Sequence, residues 1–187
     1  MLAATRRPDL FRRFVLFNTG AFPPPKVPAR IAICRLPIFG KIALRGLNAF
    51  SRAAVRMATE LPAGLPENVA AGLILPYDSW ANRVGVYHFI KDIPLSKEHP
   101  TYSVLEKLES DLRKTTNVPV QLIWGMKDWC FDPKCLDRFV GIFPQAEVHK
   151  IADAGHWVIE DAHAEIIPIV ERFLLGSSPS SAEVAAT

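Results

Sequence analysis

The chain has 187 residues, 49% of them hydrophobic and 22% charged, with a formal net charge of +3. This is ordinary globular composition, enough for one domain with its own core. Charges of both signs are interspersed apart from a basic N-terminal patch (Arg6, Arg7, Arg12, Arg13), so the chain carries no nucleic-acid footprint and no nucleic-acid partner is expected. Cys34, Cys130 and Cys135 are too few, and odd in number, for a disulfide framework, which fits a reducing compartment. No stretch reaches the ~18 apolar residues that span a bilayer. "FVLFNTGAF" lacks the cleavage site and long apolar core of a signal peptide. A cytoplasmic location is the expectation.

The first element is a buried strand over Phe14–Phe17, a continuous apolar run closed by Asn18, Thr19 and Gly20. Continuous rather than alternating runs suit parallel strands covered on both faces. Four prolines within residues 23–28 then break regular structure. Over residues 29–61 apolar side chains recur at three- and four-residue spacing with arginines between them. That spacing predicts two or three amphipathic helices, interrupted near Pro37 and Gly40, in a cap packed over something else. A basic amphipathic stretch also suits a membrane surface, but Pro37 and Gly40 break the long face that role prefers, so membrane association is not expected. Short helices, proline stops and aromatics continue to residue 100.

"HPTYSVLEKLESDLRKT" predicts a helix with its polar face outward, and residues 118–124 a second buried strand ending at Gly125 and Asp128. A helix follows with Asp132 as N-cap and Pro133 in its first turn. "AEVHKIADAGH" is a third strand with its loop, and "IEDAHAEIIPIVERFLL" a closing helix that Pro168 should kink. The residues from 176 on read as a disordered tail. The domain organisation is therefore a core strand in residues 1–20, a helical cap over 21–100, a C-terminal α/β core over 101–175 and a tail over 176–187. Strands alternating with helices imply a parallel sheet with right-handed crossovers, whose ligand chemistry collects at the carboxyl ends of the strands. Asn18, Asp128 and His156 each follow a predicted strand and hence fall on one rim.

A histidine oriented by a buried carboxylate is a general base, the carboxylate setting the tautomer and stabilising the imidazolium. Acid then histidine on successive strand ends is the chain order of the α/β-hydrolase triad, whose nucleophile comes first. "LIWGMKDWCFDP" together with "FPQAEVHKIADAGHWVIEDAHAEIIPIVERFL" resembles the last two strands and final helix of the α/β-hydrolase fold, and "FVLFNTGAF" the strand after the nucleophile helix. The helical middle, with "PYDSWANRVGVYHFIKDIPLS", resembles the cap of the haloalkane-dehalogenase branch. Within that branch the chain is similar to the β-lactone decarboxylases of bacterial long-chain olefin biosynthesis.

The resemblance spans residues of about 8 to 175. It implies a partial α/β-hydrolase fold, an aspartate nucleophile, no cofactor or metal, and a small hydrophobic substrate. Asn18 stands where some members place a carboxylate and cannot ionise, so Asp128 matches the catalytic acid and His156 the base. In hydrolytic members the base activates water against an ester on the aspartate; in the β-lactone enzymes the corresponding intermediate leads to carbon dioxide and an alkene. The elbow signature G-x-nucleophile-x-G occurs nowhere in the chain. Ser79 lies in the cap without the glycines, and Cys130 is not on an elbow. The expectation is a C-terminal portion of an enzyme, with partners that include a chain supplying the N-terminal half or other olefin-biosynthesis enzymes. A serine esterase or lipase fragment, or a non-catalytic remnant that binds a partner, are the other readings.

Several residues carry competing roles. Asp132 is the rival acid, read as a cap, and Lys127 is a rival partner for Asp128. Asn18 is either a turn former or a polar group lining the pocket. Tyr77, Trp80 and Phe89 either line a hydrophobic pocket under the cap or pack in its core. His149 and His163 read as surface residues, and His88 and His99 belong to the cap with no carboxylate assignable to them. Cys130-x4-Cys135 falls outside usual zinc spacing.

Overall fold

The computed structural model describes residues 1–24, 26–115 and 117–176. The expected tail lies on residues 177–187, outside the described residues, apart from Gly176. Three strands form one parallel sheet in the order β1-β2-β3, with β1 at Phe14–Phe17, β2 at Val120–Gly125 and β3 at Glu147–Ile151. The register sets Phe14 against Val120 and Phe17 against Ile123 on one side of β2, and Gln121 against Glu147 and Gly125 against Ile151 on the other. The middle strand is buried at all six positions, the consequence of an apolar run flanked by strands on both edges and covered on both faces.

Alternation along β2 splits the core in two. Leu122 and Trp124 pack with Phe139 and Ile142 of one helix (α8, Pro133–Ile142) and with Leu108 and Leu112 of another (α7, Pro100–Leu112). Ile123 faces the opposite way, onto Ile151 and onto Val158 and Ile166 of the closing helix (α9, Val158–Leu175). Burying each such side chain contributes ~1.5–3 kcal/mol. Asp132 caps α8, accepting from the Lys134 N–H at 3.0 Å, with Pro133 at its first position. α9 does not break at Pro168. Its one non-helical residue is Ala162, at φ −141° and ψ 30°. Pro168 lies on the exposed side, where water can serve the Ala164 carbonyl left without its donor. The interruption instead follows Asp161, whose carboxylate is bonded to groups outside the helix.

Between β1 and α7 lies the helical block. A short α1 (Leu2–Arg6) precedes β1 and lies outside this block, which runs through α2 (Ala29–Ala32), α3 (Pro37–Lys41), α4 (Ala49–Met57), α5 (Glu67–Ile74) and α6 (Val84–Lys91), with a 3₁₀ turn at Ile33–Arg35 and a π turn at Ile42–Gly46. Over residues 29–61 this gives three α-helices, within the two or three that the spacing predicts, joined by the 3₁₀ and π turns. Pro37 starts a helix rather than ending one, since a first-turn proline gives up no bonded N–H. Gly40 is needed for close approach: a Cβ there would run into the Cys34 carbonyl. Ile31, Leu44 and Ile90 form the small cap core.

Arginines hold these short pieces together. Arg83 donates to the carbonyls of Tyr77 (2.7 Å), Asp78 (2.7 Å), Arg45 (2.7 Å) and Gly46 (3.0 Å). Arg35 donates to those of Ile90 and Ile93, at 2.7 and 3.1 Å. Helix ends leave carbonyls unpaired, and a fork of five donors satisfies several at once.

Candidate active site

Asn18 follows β1 directly, Asp128 lies three residues past β2, and His156 five past β3, so all three stand on the carboxyl rim of the sheet. The loops after β2 and β3 approach closely because both carry glycine. A Cβ on Gly125 would strike the carbonyl oxygens of Ala154, at 2.7 Å, and of Gly155. The β2–β3 pairing extends past the strands through Met126 N–H to Ile151 O (3.0 Å) and Lys127 N–H to Ala154 O (2.9 Å).

That approach delivers His156 to Asp128. The imidazole Nδ1–H donates to Asp128 Oδ2 at 2.9 Å. Asn18 Nδ2 donates to the same oxygen at 2.7 Å, and the backbone N–H groups of Cys130 and Phe131 donate to Oδ1 at 2.6 and 3.1 Å. Asn18 is in turn fixed by its own Oδ1, which accepts from the Gly125 N–H at 2.8 Å. The Asp128 side chain is fully buried. Burial pushes its carboxyl up, but His156, Asn18 and the Cys130 N–H outweigh it and hold the group below its ordinary value. Lys127 pairs instead with Asp153, at 2.8 Å. With Nδ1 committed to the carboxylate, Nε2 of His156 is the free ring nitrogen and has no hydrogen-bond partner among the described residues. The Phe131 ring lies 5.6 Å from the imidazole, tilted by 32°.

His156 borders an apolar cavity of about 450 Å³ under the cap, lined among others by Ile33, Phe39, Phe50, Met57 and Trp129. A smaller recess of about 230 Å³ lies on the β1 side of the histidine, between Phe17, Asn18, Leu73 and Trp157. Tyr77, Trp80 and Phe89 line neither. Tyr77 is half-buried, and its carbonyl accepts from Asn48 and Arg83. Trp80 is exposed beneath the Arg45 guanidinium, 4.5 Å from the ring centroid. Phe89 is 71% exposed, because α6 turns its neighbour Ile90 into the cap core instead.

Asn18 takes both of its readings at once: it ends a strand, borders the recess and bonds Asp128. His149 pairs with Glu147 at 2.6 Å, and His163 is exposed. His99 does have a carboxylate near it, Asp92 at 3.6 Å, which the sequence did not assign. Burial pushes the thiols of Cys130 and Cys135 up to about 12 and about 11, so neither is a thiolate at neutral pH. Among the described residues no helix is long and apolar enough to cross a membrane.

One functional group escaped the sequence reading. Asp161 accepts from the Gly155 N–H (2.7 Å), from the Glu60 N–H (3.1 Å to Oδ2) and from the Thr59 hydroxyl. It ties the loop carrying His156 to the segment that follows α4 in the cap. Two more bonds run alongside it, Trp157 N–H to Ala58 O at 2.9 Å and Trp129 Nε1–H to Met57 O at 2.8 Å. The only signal was an acid in the first turn of a helix, which ordinarily marks no more than a favourable dipole contact.

Comparison with known proteins places the fold. Residues 1–163 match the model of the alpha/beta hydrolase fold family. The chain is 33% identical over 184 residues to the cis-3-alkyl-4-alkyloxetan-2-one decarboxylase of Shewanella oneidensis, covering 97% of this chain and 58% of the relative. It is 37% identical over 166 residues to the Xanthomonas campestris pv. campestris protein of the same name, covering 87% of this chain and 55% of that one. The chain thus spans well under two thirds of the length of the curated relatives it matches. In fold it superposes on the crystal structure of a haloalkane dehalogenase DbeA loop variant from Bradyrhizobium elkanii with a TM-score of 0.81 and 18% identity, covering 94% of this chain and 62% of that one. The parallel sheet, the helices around it and the family match over most of its length agree: the chain belongs to the α/β-hydrolase fold family.

Proposed function

We propose that this chain supplies the acid and base of a nucleophile–His–Asp triad that acts on a hydrophobic substrate. The carrying observation is the His156–Asp128 pair, 2.9 Å apart, with its free Nε2 beside an apolar cavity. Asp128 orients the ring and offsets the imidazolium charge while remaining ionised itself. On a substrate that leaves a stable aspartyl ester, His156 Nε2 takes a proton from water as the water oxygen adds to the ester carbonyl.

The nucleophile is an aspartate carried by residues outside this sequence, which has no G-x-nucleophile-x-G elbow of its own. A further parallel strand beside the open edge of β1 would bring such an elbow to the recess at Asn18 and His156. The names of the two decarboxylase relatives favour a dialkyl β-lactone as substrate. The aspartate carboxylate attacks the alkoxy carbon and breaks the ring C–O bond; the carboxylate so released leaves as carbon dioxide while the new C–O bond to the aspartate breaks, which forms the alkene without water and frees the aspartate carboxylate beside His156 Nε2.

The test is complementation. The 187-residue chain is mixed with the N-terminal segment of the Shewanella oneidensis relative that this chain does not cover, and alkene release from a cis-β-lactone is followed by gas chromatography. Alkene formed by the mixture, absent from either part alone and lost with His156→Ala, is the expected result. Turnover by the chain alone, or turnover that survives His156→Ala, would overturn the reading.

A further inference from the structure

The cap carries an apolar surface that its own core leaves uncovered. Along one short stretch Leu36, Ile38 (77%), Phe39 (53%) and Ile42 (56%) are all exposed, with Ile33 just before them. Single exposed apolar residues are normal, but a contiguous group marks a surface that meets something. Two of these residues, Ile33 and Phe39, also line the cavity that ends at His156. The uncovered surface and the cavity wall are therefore continuous.

The charge along this part of the chain is of one sign. Between Leu10 and Glu60 the chain has no aspartate or glutamate, while Lys26, Arg30, Arg35, Lys41, Arg45, Arg52 and Arg56 all fall in the cap part of that interval. Arg35 and Arg45 are engaged with backbone carbonyls, and Arg30 lies over the Trp129 ring. Lys26, Lys41, Arg52 and Arg56 are exposed and have no hydrogen bond or ion pair among the described residues. Such an arrangement complements an anionic, water-to-hydrocarbon boundary: apolar side chains enter the acyl region while cations meet lipid phosphates. A long helix is not required for this. Ile38 and Ile42 are four residues apart and Phe39 and Ile42 three along continuous helical backbone, which sets them on one side, and Gly40 brings that backbone against the Cys34 carbonyl.

We infer that the Ile33–Phe39–Ile42 projection docks the cap onto an anionic bilayer surface and opens the cavity toward it. The proposed apolar substrate would then pass from lipid to His156 past Ile33 and Phe39. Only this direction of traffic rests on the function proposed above; docking itself is measured without turnover, so its failure leaves that function standing.

The test is sedimentation of the purified chain with vesicles of phosphatidylglycerol and phosphatidylcholine, against phosphatidylcholine alone. Binding to the anionic vesicles about tenfold stronger at low salt, and reversed by high salt, is expected. The double variant Ile38→Asp with Phe39→Asp should lose about tenfold in binding, because it removes two apolar anchors and adds two repelled charges. Both side chains are exposed, so the circular dichroism spectrum and unfolding midpoint should not move, which keeps the test independent of folding. Lys41→Glu should weaken binding to the anionic vesicles and leave the weak binding to neutral ones unchanged.

Three results would overturn the inference: no sedimentation with anionic vesicles, equal binding by the double variant, or self-association that the double variant abolishes while vesicles are ignored. The second would assign the lipid contact to another surface, and the third would make this surface a protein interface.

Discussion

The sheet and the cap of this molecule are stabilised by opposite means. In β2 six consecutive residues are buried, and the apolar run itself supplies both faces of the core. In the cap the helices are four to nine residues long, shorter than helices that persist alone, and what joins them is a set of guanidinium-to-carbonyl bonds from Arg35, Arg45 and Arg83. The sheet therefore places Asp128 and His156 with little freedom. The cap has only the small core of Ile31, Leu44 and Ile90, together with polar contacts that can be broken one at a time. The difference matches what each part is asked to do, one fixing a hydrogen-bonded pair and the other covering an apolar cavity.

Replacing Trp124 by Ala should destabilise the whole chain most, by about 4 kcal/mol, because a fully buried indole packed on Phe139 leaves a cavity and strands the Phe131 carbonyl it bonds. Urea denaturation followed by circular dichroism measures it; a change below about 1 kcal/mol would mean that the sheet core is not the rigid part of the comparison. Asp128→Ala should follow, at about 3 kcal/mol, since it leaves Asn18 Nδ2, His156 Nδ1 and two backbone N–H groups without their acceptor.

Arg83→Met should be milder, about 2 kcal/mol, and local. Hydrogen exchange should accelerate in the cap while β2 amides stay protected. Equal loss of protection in β2 would show that cap and sheet unfold together. Asp161→Ala tests the seam between the two regions. It should raise exchange at Glu60 and Gly155, whose amides it accepts from, with a global cost of about 1 kcal/mol.

The smallest effect is in pH. The Asp128 carboxyl titrates below its ordinary value in the fold, so its contribution is complete above the unfolded value of about 4 and is lost as pH falls through the lower folded one. The denaturation midpoint should drop in that acid window, and Asp128→Asn should flatten the drop. An unchanged profile in the variant would assign acid sensitivity to other carboxylates.

Legibility followed the same division. Phe14–Phe17 is a strand where the apolar run stands, and Asp132 caps α8 where an aspartate precedes a proline, because both depend on neighbours in the chain. The juxtaposition of Asn18, Asp128 and His156 was readable as far as one rim, from the rule that parallel strands present their ends together. The distances were not, since they depend on Gly125 letting the β3 loop close over it. Tyr77, Trp80 and Phe89 looked equivalent in sequence, yet none reaches the cavity, while Phe50 and Trp129 do. An aromatic residue does not reveal which way a short helix is rolled. Pro168 keeps helical backbone inside α9, and the non-helical residue, Ala162, stands where no local signal marks it.

By itself the sequence determined the parallel α/β sheet, the order of acid and histidine on its strand ends and the absence of an elbow within these residues, because periodicity, strand-end position and motif spacing are local properties. Only the tertiary structure decided that His156 meets Asp128 rather than another carboxylate, that Asp161 ties the histidine loop to the cap, and that the cap leaves an apolar surface continuous with its cavity. The first two rest on contacts between residues far apart in the chain, 28 positions for His156 and Asp128 and 102 for Thr59 and Asp161, which no local pattern records.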